Sequence, residues 1–218
     1  MATAAMPPPP AVPTPMPALS PYRMSYALYE RIIDLGLLGP RDKVVLLDGI
    51  LVNTMPKGPR HSAAVLRGLV AFQAAVPPGW QVRPEQPVAL RGGPDGDSAP
   101  EPDLAVVVGS IERYDVRHPI VSEIGLLVEI ASDTDALRVD RAGLLRYAHA
   151  GISIVWIVNI QDRSIEVYSG PGGPTAAPGY RKSEIFRPGQ FVGGEIGNAT
   201  TGSAALAPIP VEAFFAPN

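Results

Sequence analysis

The sequence predicts an α/β (α+β) fold, with a central mixed β-sheet flanked by helices. Three observations carry that expectation. At the centre, an apolar strand (Gly125 to Ala131) is followed by a helical pattern (Asp135 to His149) and a nearly continuous β-branched run (Ile152 to Ile160). Asp48-Gly49 lies between the two short apolar runs Lys43 to Leu47 and Ile50 to Thr54, a hairpin signal. Hydrophobic residues make up 46% of the 218 positions, enough to build a core.

Each element has a local reason. Ser25 is a plausible N-cap for a first helix with Leu28, Ile32 and Leu35 at helical spacing, and Gly36 or Gly39 with Pro40 ends it. After the hairpin comes a loop, Met55 to Pro59, and a second helix from His61 with Val65, Leu69, Phe72 and Val76 on one face. Pro77-Pro78-Gly79 stops it. Trp80 to Leu90 alternates, and Pro84 and Pro87 restrict it to a sheet edge. Asp103 to Val108 reads as a buried strand. The helix over Asp135 to His149 takes Asp133 or Thr134 as cap and Gly151 as its end. Ser164 to Tyr168 is a further strand, and Ser183 to Phe186 a short one. The segment beyond reads as a weak tail closing on a helical turn at Val211 to Phe215.

Composition excludes several chemistries. Without cysteine there is no disulfide, thiolate metal site or thiol nucleophile. The net charge of −3 and the absence of a basic stripe argue against strong non-specific DNA binding. No apolar stretch suits a membrane span, so a cytoplasmic protein is expected. Residues 1–21 hold eight of the 26 prolines and no charge; they are expected to be a disordered, unbound tail, with 22–218 as one domain. Only three lysines occur (Lys43, Lys57 and Lys182), so none lies between positions 58 and 181. A lysine-dependent reaction centred on the middle of the chain is therefore not expected.

Two acids stand where acids are costly. Asp103 opens the run Pro102-Asp-Leu-Ala-Val-Val-Val, and Glu129 is embedded between Val128 and Ile130. Two carboxylates at neighbouring strand ends form a hard oxygen site for Mg²⁺ or Mn²⁺. The competing expectation is structural, with Asp103 capping a turn and Glu129 paired to an arginine. His61 opens the second helix; on its own it reads as a capping or surface residue. Asp140, Gly143 and Tyr147 share one face of the later helix, and Arg146 lies beside it.

In order and spacing, several stretches resemble the Uma-two family of restriction endonucleases, within the PD-(D/E)XK nuclease superfamily. They are Leu47-Asp48-Gly49, Arg60-His61, Glu85 to Leu90, Ala99 to Val106, Leu127 to Ser132, Asp140-Arg141, Tyr147 to Ile152 and Trp156-Ile157-Val158. The resemblance implies a restriction-endonuclease-like fold and phosphodiester hydrolysis of DNA with Mg²⁺ (or Mn²⁺). It assigns Asp103 and Glu129 to the metal, His61 and Tyr147 to the catalytic set, and Arg60, Arg141 and Arg146 to the substrate.

The sequence departs from that pattern. The family's lysine, four residues before the tyrosine, is Gly143 here; aligned on Asp140 it is Leu144. Leu46, Ile154 and Val155 replace polar family positions, and Asn159 replaces an aspartate. The expectation is therefore an endonuclease whose site lacks the motif lysine, with activity left open. The alternatives are a non-catalytic member of the same fold that binds nucleic acid or protein, and a homodimeric structural protein.

Overall fold

The computed structural model describes residues 20–39 and 41–217. The expected tail therefore lies, as far as Leu19, outside the described residues. Ten strands and three helices follow one another: α1 (Tyr26–Asp34), β1 (Val44–Leu47), β2 (Ile50–Asn53), α2 (Pro59–Ala75), β3 (Trp80–Pro84), β4 (Leu104–Val108), β5 (Ile124–Ala131), α3 (Thr134–Ala150), β6 (Ile154–Asn159), β7 (Ser164–Pro171), β8 (Tyr180–Phe186), β9 (Phe191–Asn198) and β10 (Gly202–Pro210).

Six strands form a mixed sheet in the order β3-β4-β5-β6-β7-β8. Only β5 and β6 run parallel, because α3 carries the chain back between them. The others pair antiparallel. β3 is an edge strand, as expected, but it ends at Pro84 rather than running to Leu90.

The two faces of the sheet bury different residues. Leu104, Val106, Leu126, Val128, Trp156 and Val158 pack against α2 and the β9–β10 hairpin. Ala105, Val107, Leu127, Val155 and Ile157 join Leu144 and Tyr147 of α3. The alternation follows from the two-residue period of a strand. On the first face, Phe72 stacks at 5.2 Å from Trp156 and edge-on to Phe214 at 6.0 Å. Gly68 lets α2 approach closely: an added Cβ would meet Leu104 and Phe214 at 3.0 Å. Gly68→Val is expected to destabilise the fold by about 1–3 kcal/mol through overpacking, read as a lower midpoint in urea with an unchanged slope.

Two further sequence expectations are corrected, and the apolar replacements are explained. The weak tail is a β-hairpin, β9–β10, with Val192, Ile196, Leu206 and Ile209 buried. The first helix buries Tyr26 and Tyr29, whereas Leu28 and Leu35 are exposed. The tyrosines have better partners: both pack with Leu46, Ala89 and Ala99, and Arg91 lies over the Tyr26 ring. The apolar Leu46, Ile154 and Val155 are packing residues of the three clusters.

Candidate metal centre and cleft

The sheet register brings the two acids together. Leu104 pairs with Val128 across an antiparallel ladder, so the next residue on each strand, Asp103 and Glu129, meet on the α3 side. The Asp103 N–H donates to Glu129 Oε2 at 3.4 Å. On the other side of Asp103, Oδ2 accepts from the Ile130 N–H at 2.7 Å and lies 3.0 Å from His61 Nε2. Pro59 begins α2 with its fixed φ, placing His61 in the first turn, buried and aimed at Asp103.

Tyr147 of α3 donates its hydroxyl to Glu129 Oε1 at 2.6 Å. Glu129 therefore has a tyrosine partner, and the expected arginine pairing is not found among the described residues. Asp103 likewise does more than cap a turn. Four of the predicted site residues thus converge: Asp103, Glu129, His61 and Tyr147.

The predicted arginines do not converge. Arg141 makes a bidentate contact with Glu166, and Arg60 is exposed beside His61. Arg146 lines the cleft but holds Asp48 with two bonds, 3.0 and 2.7 Å. That bond fixes the β1–β2 turn, where Asp48 and Gly49 both have positive φ, as a type I′ hairpin requires.

Lys57 is the residue the sequence did not reveal. Its ammonium lies 2.5 Å from Asp103 Oδ1 and 3.0 Å from Glu85 Oε1. The position four before Tyr147 is indeed glycine, but a lysine reaches the site from the loop ahead of α2. Distance along the chain had suggested a lysine-free site, and the fold overrides it: Lys57 and Asp103 are 46 residues apart. Glu85 was also missed as a site residue. It has φ near +49°, unusual for a glutamate, directly after the edge strand ends at Pro84. The available signals were that Lys57 precedes His61 by four residues, that Pro84 and Pro87 lie on either side of Glu85, and that Glu85 opens one of the stretches resembling the family.

Lys57, Glu85, Glu129 and Tyr147 open onto a cleft of about 1050 Å³, while Asp103 and His61 are buried and lie outside its lining. Its walls include Lys57, Glu85, Glu101, Glu129, Asp140, Gly143, Arg146 and Tyr147. The predicted shared face of Asp140, Gly143 and Tyr147 is thus the cleft wall formed by α3.

Burial governs the charges here. It would raise the Asp103 carboxyl, but the His61 hydrogen bond and the Lys57 charge outweigh it and hold that group below the ordinary range. Glu129 goes the other way: burial, then the negative charges of Asp103 and Asp140, push it well above the usual carboxylate value. Asp140 is pushed up to about 7, first by burial and then by Asp103. A raised native value means that the folded state holds its proton over a range where the unfolded chain has lost it. Stability contributed through Asp140 therefore falls as pH rises from about 4 to about 7. Asp140→Asn removes that loss. In metal-free buffer its melting temperature is expected to exceed the wild type's by several degrees at pH 8, with the gap closing towards pH 4.

The donors suit a divalent ion. His61, Glu85 and Asp103 each offer a ligand atom, all within 4.8 Å of one another, and Glu129 lies beside Asp103. Glu85 and Asp103 already converge on a cation, the Lys57 ammonium. Carboxylates with one imidazole match Mg²⁺ or, better, Mn²⁺.

A family model described as Uma2, putative restriction endonuclease, matches residues 27–198. The chain belongs to this family. Membership in Uma2 supports a nuclease function in general terms. The crystal structure of a putative nuclease belonging to DUF820 from Anabaena variabilis ATCC 29413 is similar, with a TM-score of 0.50. The two chains are 20% identical, and the match covers 73% of this Uma2 chain and 85% of that one. This likeness bears on the fold alone. No curated protein matches the sequence. Among the described residues of this Uma2 protein, no helix is long and apolar enough to cross a membrane.

Proposed function

We propose that the protein is a divalent-metal-dependent DNA endonuclease acting at the Asp103 cluster. The observation that carries this reading is the convergence of Asp103, Glu129, Glu85 and His61, of which Glu85 and Glu129 line the cleft. Asp103, Glu129, Glu85 and His61 would hold Mg²⁺ or Mn²⁺. Such an ion supplies an activated water and stabilises charge on a phosphodiester.

The protein's own groups have distinct parts. Tyr147 fixes Glu129 through its 2.6 Å hydrogen bond, and the Ile130 N–H fixes Asp103. His61 braces the other side of Asp103. In the hydrolysis, the water oxygen bonds to phosphorus as the bond from phosphorus to the leaving oxygen breaks. We assign the water's proton to Asp140, which lines the same cleft. The leaving alkoxide takes its proton from solvent. Arg60, exposed beside His61, remains available to a backbone phosphate; Arg141 and Arg146 are spent on Glu166 and Asp48.

The test is cleavage of supercoiled plasmid by the purified full-length chain. Nicked or linear product is expected with Mn²⁺ or Mg²⁺ and none with a chelator. Intact plasmid, linear duplex and single strands under all metal conditions would remove the nuclease reading and favour a non-catalytic binding module.

A further inference from the structure

A phosphodiester entering the cleft meets Glu85, Glu101, Glu129 and Asp140 on its walls. An anion among carboxylates is repelled unless fixed positive charge faces it. Three basic side chains line the cleft: Lys43, Lys57 and Arg146. Arg146 is committed to Asp48. Lys43 stands just ahead of β1, while Lys57 alone of the three contacts the acid cluster.

The Lys57–Asp103 pair is lopsided. The Asp103 side chain is 6% exposed and held by His61 and the Ile130 N–H, whereas the Lys57 side chain is 37% exposed. One partner is fixed in the protein and the other stands at the water boundary. The Lys57 backbone is anchored close by, two residues before Pro59 opens α2.

We propose that Lys57 is a catalytic residue whose ammonium contacts a non-bridging oxygen of the scissile phosphate and balances the charge developing there. This rests on the nuclease reading of the same cleft. Lys57 now holds Asp103 Oδ1, an oxygen that a divalent ion would need. Two cations sharing one oxygen repel strongly at such distances. The flexible four-carbon stem lets the ammonium turn aside within the cleft that the substrate phosphate enters. A lysine ammonium stays protonated near neutral pH, so Lys57 acts as a charge and hydrogen-bond donor, and no proton leaves it.

The experiment compares the full-length wild type with Lys57→Met and Lys57→Arg by two readouts, Mn²⁺-dependent plasmid cleavage and Mn²⁺ affinity by titration calorimetry. In Lys57→Met, cleavage is expected to fall about 100-fold or more, as when a single charge-stabilising donor is lost. Its Mn²⁺ affinity is expected to hold or to tighten several-fold, because a cation beside the ligands is gone. Lys57→Arg keeps the charge and should cleave faster than Lys57→Met. Wild-type cleavage by Lys57→Met would overturn the proposal. Joint loss of Mn²⁺ binding and cleavage in Lys57→Met would also overturn it, reducing Lys57 to a prop for Asp103. A wild type that binds Mn²⁺ yet cuts no nucleic acid marks the failure of the nuclease reading itself, and the Lys57 role falls with it.

Discussion

Asp103→Ala is expected to reduce metal-dependent cleavage at least about a thousandfold, a loss of ~4 kcal/mol of transition-state stabilisation. Asp103 is the hub of the site. Its two oxygens touch Lys57, His61 and the Ile130 N–H, and its own N–H reaches Glu129. Truncation removes a proposed metal ligand and also leaves His61 and the Ile130 N–H without their partner, while Lys57 keeps Glu85. Buried unpaired donors cost about 1–3 kcal/mol each, while relief of a buried carboxylate offsets part of that. A net destabilisation of about 1–3 kcal/mol is expected in thermal or urea unfolding. The variant should remain folded, with its cleavage rate at background and its Mn²⁺ affinity lowered at least tenfold. Asp103→Asn keeps the shape and should be more stable than Asp103→Ala, but equally inactive.

Glu129→Gln separates function from stability more sharply. Burial, then the charges of Asp103 and Asp140, push the Glu129 carboxyl well above the usual carboxylate value in the metal-free protein. Glutamine has the same shape and is neutral at every pH. Its carbonyl can accept the Asp103 N–H, and its amide can donate to the Tyr147 oxygen. Stability at pH 7 is therefore expected to change by less than about 1 kcal/mol. The sign of the pH effect follows from the raised native value. Wild-type stability falls as pH rises above the ordinary glutamate range, whereas the glutamine variant has no proton to lose. The difference in melting temperature, variant minus wild type, should grow with pH. Cleavage should nevertheless fall about 100-fold or more, because glutamine cannot replace a carboxylate on a divalent ion. A variant that is destabilised and yet fully active would reverse both expectations.

Much of the sheet was legible because its strands are buried on both faces and read as apolar runs. β4, β5 and β6 are of this kind, and α3 carried both its cap at Asp133 and its glycine end at Gly151. The β9–β10 hairpin was not legible. It contains Gly193, Gly194, Gly197 and Gly202, and its weak intrinsic preference is overridden by burial of four apolar side chains against the sheet. The buried face of α1 was misread because leucine spacing gave no weight to tyrosines, whose rings make the better contact with the hairpin.

The candidate site divides in the same way. Asp103 and Glu129 stood out because acids inside apolar strands need a reason. Their meeting follows from strand register, which depends on which strands are neighbours. Lys57 and Glu85 come from loops bounded by proline and glycine, and loops leave no periodic trace in a sequence. Counting lysines along the chain pointed to a site without one. Folding brings Lys57 across 46 positions to the carboxylate that most needs a cation.

The Asp103 cluster is proposed as a metal centre. Crystals of the full-length protein soaked in Mn²⁺ and measured at the manganese absorption edge test it most directly. An anomalous peak is expected within bonding distance of both Asp103 and Glu129, with Lys57 drawn away from Asp103. An empty cluster at millimolar Mn²⁺, with Lys57 still bridging Asp103 and Glu85, would contradict it.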